Sequence, residues 1–212
     1  MRSTFPSPLS RSDATILIET GCYADFTMPS APADCQTTFF NSIYYATDDP
    51  LRPKSHDRGQ LARVGQPPPP HTLLMMQGPL ALDWSNRKWG VLPRIENGDL
   101  TDRRPPTIER LMLWLQAGIK VAGREDWLFV KLHTHGAQER NSNMLLGEPM
   151  RMFHRGLAEF AAKHDWFRYY YVTACEMAAL VHAAEQGATD PALVLAAQPA
   201  TTLSGPAAIG NF

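Results

Sequence analysis

Trp127-Leu-Phe-Val-Lys-Leu-His-Thr-His-Gly136 is an apolar run of strand length that stops abruptly in two histidines and a glycine. Read as a buried strand, it decides both the fold and the place to look for chemistry. In barrels and open sheets of parallel strands, the carboxyl ends of the strands face the ligand crevice. Side chains alternate along a strand, so His133 and His135 share one face. Imidazole is the commonest metal ligand and titrates near neutral pH, which makes the pair a candidate for acid–base or metal chemistry. The plainer alternative is a histidine pair that hydrogen-bonds neighbouring loops.

Working outward, the flanks alternate between helical and strand patterns. Before the run, Pro105-Pro106 precede Thr107, and Ile108, Leu111, Leu115 and Ile119 recur at helical spacing, with Leu113 and Trp114 widening the stripe. After it, residues 148–164 carry Met152, Phe153, Leu157 and Phe160 in one helical band. Phe167-Arg-Tyr-Tyr-Tyr-Val172 reads as the last strand. Thr173 and Glu176 then form a capping box for a helix to about Gln186, closed by Gly187. Upstream, a short helix from Asp13 to Thr20 ends at Gly21, and strand composition appears at 22–27, 41–47 and 72–77. Residues 48–70, with Pro67-Pro-Pro-Pro70, read as a long exposed loop. Trp84 to Trp89 reads as a polar link, and Gly90 to Asp99 as a loop. Strands alternating with helices predict an α/β fold with a mostly parallel sheet over 13–187. Residues 1–12 and 188–212 lack apolar periodicity and read as a disordered start and a loose tail.

With 212 residues, 44% hydrophobic and 19% charged, the chain can bury one sizeable core. A formal charge of −1 gives no global basic field, which argues against nucleic acid or an anionic membrane as the main partner and favours a small neutral or mixed substrate. Cys22, Cys35 and Cys175 have no CxxC spacing and point to a reducing compartment. No apolar window approaches the roughly 18 residues of a membrane span, and the start lacks a secretion-signal core, so a cytoplasmic protein is expected.

Other candidate residues are Asp25, Asp48-Asp49, His56-Asp57, and the group Arg94, Glu96 and Asp99. Asp48-Asp49 with His56 could supply oxygen and nitrogen ligands to a divalent metal, although Asp-Asp-Pro is also an ordinary turn opener. Arg94, Glu96 and Asp99 lie in a glycine-containing loop suited to hydrogen-bonding sugar hydroxyls, while Arg94 and Glu96 could instead pair with each other. His71, His164 and His182 stand outside any cluster. His154 and the Tyr169-Tyr-Tyr171 run read as packing residues.

Four segments together carry a family resemblance: Gly-Cys-Tyr-Ala-Asp-Phe-Thr-Met-Pro-Ser-Ala-Pro at 21–32, Tyr44-Tyr-Ala-Thr-Asp-Asp-Pro-Leu-Arg-Pro-Lys-Ser-His-Asp57, Pro93-Arg-Ile-Glu-Asn-Gly-Asp-Leu100 and Val130-Lys-Leu-His-Thr-His-Gly136. Over residues 19–187 the chain resembles the C-terminal half of bacterial polysaccharide deacetylase-like proteins, the nodulation-deacetylase-type carbohydrate esterases. The resemblance implies a partial or distorted (β/α) barrel lacking its N-terminal strands. It also implies a divalent metal (zinc, nickel or cobalt) that activates water to remove an N- or O-acetyl group from a polysaccharide or oligosaccharide. His133 or His135 would be the catalytic histidine, protonating the leaving group, with Asp25, Arg94, Glu96 and Asp99 lining the substrate groove. The family's early Thr-Phe-Asp-Asp and His-x-x-x-His motifs, which hold the metal, do not lie upstream of Gly21. Three alternatives follow: a truncated hydrolase, a non-catalytic remnant that binds a saccharide or partner, and an unrelated hydrolase using His133-x-His135 as metal ligands.

Overall fold

A computed structural model describes residues 13–28, 37–47, 49, 55–136 and 138–198. Its sheet is built from four short strands: β1 (Ala24–Asp25), β2 (Ile43–Thr47), β3 (Gly59–Leu61) and β4 (Thr72–Met76), in the order β1-β4-β2-β3. Only β1 and β4 run parallel, and β2 is antiparallel to both β4 and β3. The period of 2 sorts the central strands cleanly between two faces. Ile43, Tyr45, Leu74 and Met76 face one core with Val121, Trp127, Val181 and Ala184. Tyr44, Ala46, Leu73 and Met75 face the other, with Met28 and the partly buried Leu17 and Ile18. Burial on both sides explains why these strands read as continuous apolar runs.

The (β/α) barrel expected from the sequence is not there. Among the described residues there is one parallel strand pair, and a second sheet consists of two antiparallel strands, β5 (Ala81–Lys88) and β6 (Leu92–Glu96). The physical reason lies in two apolar runs that were expected to be strands. The segment 127–134 forms no strand, and its backbone bonds to other segments are few: Phe129 N–H donates to Ile119 O, and His133 bridges Asp99. Residues 168–172 likewise form no strand and make no ladder bond among the described residues. Apolar composition gave these runs a place in the core, but a strand needs a partner edge as well.

The β5–β6 hairpin replaces the link and loop expected at 84–99. Its register slips between Asp83 and Arg87, so Trp84, Ser85 and Asn86 bulge out, held by the Asp83 carboxylate, which accepts from Ser85 N–H, Ser85 Oγ and Asn86 N–H. Trp89 and Gly90 form the tip, both with positive φ (55° and 73°), and Val91 N–H closes the turn on Lys88 O. This is the geometry of a type I′ turn, whose usual occupants are Asn-Gly.

The helices match their caps. α1 (Asp13–Glu19) is followed by Gly21 with φ 87°. α2 (Ile108–Gln116) starts at Thr107, whose side chain accepts from Arg110 N–H. α3 (Glu139–Leu146) and α4 (Glu148–Lys163) pack with α2 through Leu111, Trp114, Met144, Phe153 and Leu157. α5 (Ala174–Glu185) carries the full capping box of Thr173 and Glu176. Where the sequence suggested a loose tail, Asp190 caps α6 (Pro191–Ala196), and Val194 and Leu195 pack on the first core. The start (1–12) and residues 199–212 lie outside the described residues. The long loop expected at 48–70 contains a 3-10 turn (Ser55–Asp57) and β3.

Candidate functional site

Two backbone hydrogen bonds bring Asp99 and His133 side by side. His133 N–H donates to Gly98 O (3.1 Å) and Leu100 N–H donates to His133 O (2.8 Å), a parallel bridge that puts both side chains on one side. Asp99 Oδ1 lies 3.9 Å from His133 Nε2, and each side chain is about a quarter exposed (26% and 27%). Asp99 Oδ1, His133 Nδ1 and Thr134 Oγ1 are buried atoms without a hydrogen-bond partner among the described residues. Buried polar atoms are rarely left so, and two of these, Asp99 Oδ1 and His133 Nδ1, belong to the bridged pair.

The loop carrying Asp99 is fixed from beneath by Glu96. Its side chain is fully buried and accepts from Gly98 N–H (2.8 Å), Arg110 Nε and Nη2 (both 2.8 Å), Trp114 Nε1 (3.0 Å) and Arg104 Nη2 (3.0 Å). Arg110 Nη2 also donates to Asp99 O (2.7 Å). Burial alone would raise the Glu96 carboxyl, but the donors from Arg110, Trp114 and Gly98 outweigh it and hold it below the usual carboxylate range. Gly98 sits at φ 75°, and a Cβ there would lie 3.1 Å from Pro79 Cδ, so only glycine passes between Pro79 and Leu132.

Lys131 stands on the same side of the extended segment as His133, two residues earlier. It is nine-tenths buried and donates through Nζ to Met28 O (2.9 Å), which ties the end of the β1 segment to the site. Burial pushes its amine below the usual lysine range, partly offset by the charge of Asp25. Burial likewise lowers His133, Asp99 pulls it back up, and Lys131 and His135 lower it further. The net effect favours the neutral imidazole.

The remaining sequence candidates are distributed as follows. His135 is exposed just beyond the bridge, with its carbonyl accepting from Asn141 Nδ2. Asp25 is near enough to Lys131 to act on it, while its Oδ1 accepts from Thr27 N–H (2.6 Å) and Thr27 Oγ1 (2.7 Å). Arg94 is exposed on β6 in register with Asp83, and it is Arg110 and Arg104 that pair with Glu96. Asp57 accepts from Thr38 N–H and His56 O accepts from the Tyr44 hydroxyl, so both help to anchor the 3-10 turn. Asp48 lies outside the described residues. Lys131 and Arg110 were not foreseen. The alternation of Lys131, His133 and His135 could have shown the first, whereas no local pattern in the helix that carries Arg110 points to its pairing with Glu96.

A second polar group joins β2 to α5. The Tyr45 hydroxyl donates to Glu185 Oε2 (2.8 Å), His182 Nδ1 lies 3.1 Å from the same oxygen, and burial raises the phenol far above its ordinary value. His182, set aside in the sequence, is part of this structural tie. One hollow of about 590 Å³ is lined by Ala161, Asp165, Phe167, Arg168, Tyr169 and Tyr170 and does not include the His133 group. No three His, Cys, Asp or Glu side chains that could hold a metal ion come together among the described residues. No family model, no curated protein and no solved structure matches the chain.

Proposed function

We propose that this chain is a glycan-directed hydrolase domain of the deacetylase-like kind, in which His133 is the proton-transfer group and Asp99 its positioning residue. The observation that carries the reading is the bridged Asp99–His133 pair with its two unpartnered buried polar atoms, Asp99 Oδ1 and His133 Nδ1. A neutral imidazole takes a proton from the attacking water as the water oxygen bonds to the acetyl carbonyl carbon. It then delivers that proton to the sugar nitrogen or oxygen as the acyl bond breaks, releasing acetate. Asp99 favours the intermediate imidazolium, while burial, with smaller contributions from Lys131 and His135, favours the neutral resting ring. Glu96 acts through the backbone of Asp99, and the exposed His135 is available to the substrate.

The test is acetate release from acetylated oligosaccharides across pH, for the wild type, His133→Ala and Asp99→Asn. The wild-type rate should fall on the acid side with a midpoint below the ordinary histidine value of about 6.5. Asp99→Asn removes an influence that raises the His133 pKa, so that midpoint should move lower still. His133→Ala should lose roughly 10²–10⁴-fold. Absence of acetate release at every pH, with retained oligosaccharide binding, would instead support the second reading, a non-catalytic saccharide-binding remnant.

A further inference from the structure

The β5–β6 hairpin exposes Leu82, Trp84, Trp89, Val91, Leu92 and Ile95, with Trp89 at 77%. Single exposed apolar side chains are ordinary, but so many on one two-stranded ribbon are not. From Trp84 to Ile95 the ribbon carries Arg87, Lys88 and Arg94 and no acidic residue, in a chain whose formal net charge is −1. Its two flanking acids are both buried and engaged, Asp83 in the bulge and Glu96 with Arg110. The whole-chain charge balance, which argued against an anionic surface, averages over this cluster. Lys88 Nζ stands 4.4 Å from the Trp89 ring centre and the Arg87 guanidinium 5.9 Å from that of Trp84.

We infer that the hairpin tip docks on an anionic lipid surface, with Trp89, Val91 and Leu92 entering the headgroup boundary while Arg87, Lys88 and Arg94 meet the lipid phosphates. Three properties select this occupant. Tryptophan with flanking cations is the composition that settles at the membrane interface. The positive ribbon complements a negative leaflet, each cation adding about fivefold in binding near the surface. The aliphatic Val91 and Leu92 offer nothing to sugar hydroxyls, and the cations already occupy a face of each indole, so a saccharide platform fits less well. Trp89 is also held at φ 55°, where asparagine is favoured, so the turn carries a bulky aromatic where its own geometry asks for a small polar residue.

That misfit supplies a clean test. Trp89→Asn should melt no lower than the wild type while losing the interfacial side chain. Sedimentation with vesicles of phosphatidylglycerol and phosphatidylcholine in equal parts is compared with phosphatidylcholine alone, with tryptophan emission followed in parallel. The expected result is binding to the anionic vesicles with blue-shifted emission, weakening as salt rises. Trp89→Asn should lower affinity roughly tenfold or more, and the double variant Arg87→Ala, Lys88→Ala about 25-fold. No binding, equal binding to neutral vesicles, or unchanged affinity in Trp89→Asn would overturn the proposal. Trp89-dependent pelleting with an insoluble polysaccharide in place of vesicles would overturn it too, and would reassign the hairpin to glycan.

Discussion

Glu96 shows how far one side chain's role can lie from its sequence surroundings. Its neighbours Arg94, Asn97 and Asp99 suggested a polar loop open to sugar, whereas the fold turns Glu96 inward to five donors, two of them from Arg110, fourteen positions along the chain. His133 was legible because a strand-like run ending in histidine is itself a local pattern. The partner that tunes it is Asp99, and only the backbone bridge reveals that. Glu96→Ala should destabilise the protein by about 3–5 kcal/mol, because it strands the buried Arg110 charge. The Glu96 carboxyl is held low in the folded state, so its contribution is full above the ordinary carboxylate value of about 4.3 and is lost as pH falls below it. Thermal melts from neutral to acidic pH should show the wild type losing stability in that range and Glu96→Ala losing less. Parallel curves for the two proteins would refute the assignment.

At the scale of elements, most helices and the strands β1, β2 and β4 were legible in the sequence, whereas α3, α6, β3 and the β5–β6 hairpin were not. The capping box at Thr173 and Glu176 and the Pro-Pro-Thr start before α2 are local codes that the fold honours. α3 escaped notice because Glu-Arg-Asn-Ser-Asn-Met-Leu-Leu buries only Asn141 and Met144, too few positions to show a period. β3 was hidden in a loop because it is three exposed residues long and exists through its pairing with β2. At Gly59 a Cβ would fall 2.1 Å from Tyr45 O and 3.1 Å from the Tyr44 ring. Gly59→Ala should therefore detach β3 and expose the edge of β2. The expected reading is a loss of roughly 2 kcal/mol or more in denaturant unfolding, within the range for forced contacts in packed sites. A neutral Gly59→Ala would show that β3 can shift without cost.

For the whole molecule, composition pointed to one sizeable apolar core, and the buried side chains among the described residues fall into three clusters, with no helix there long and apolar enough to cross a membrane. The parallel barrel failed for a reason that composition cannot express. A βα repeat requires each apolar run to pair with the next, and here β2 runs antiparallel through the middle of the sheet. The run at 167–172 shows the consequence. It is placed by its rings: Phe167 stacks on Tyr169, Tyr169 meets Tyr171 edge-on, and the Tyr171 hydroxyl bonds His154 of α4. Its main chain from Arg168 to Val172 makes no ladder bond among the described residues. Positional order and amide protection are thereby separated. In deuterium exchange, the amides of Arg168 to Tyr171 should exchange at nearly open-chain rates, while those of Leu74 and Val181 persist until global unfolding. Slow exchange at 168–171 would reveal a partner strand. Fast exchange would identify a segment that aromatic contacts hold in place while its amides stay open to solvent.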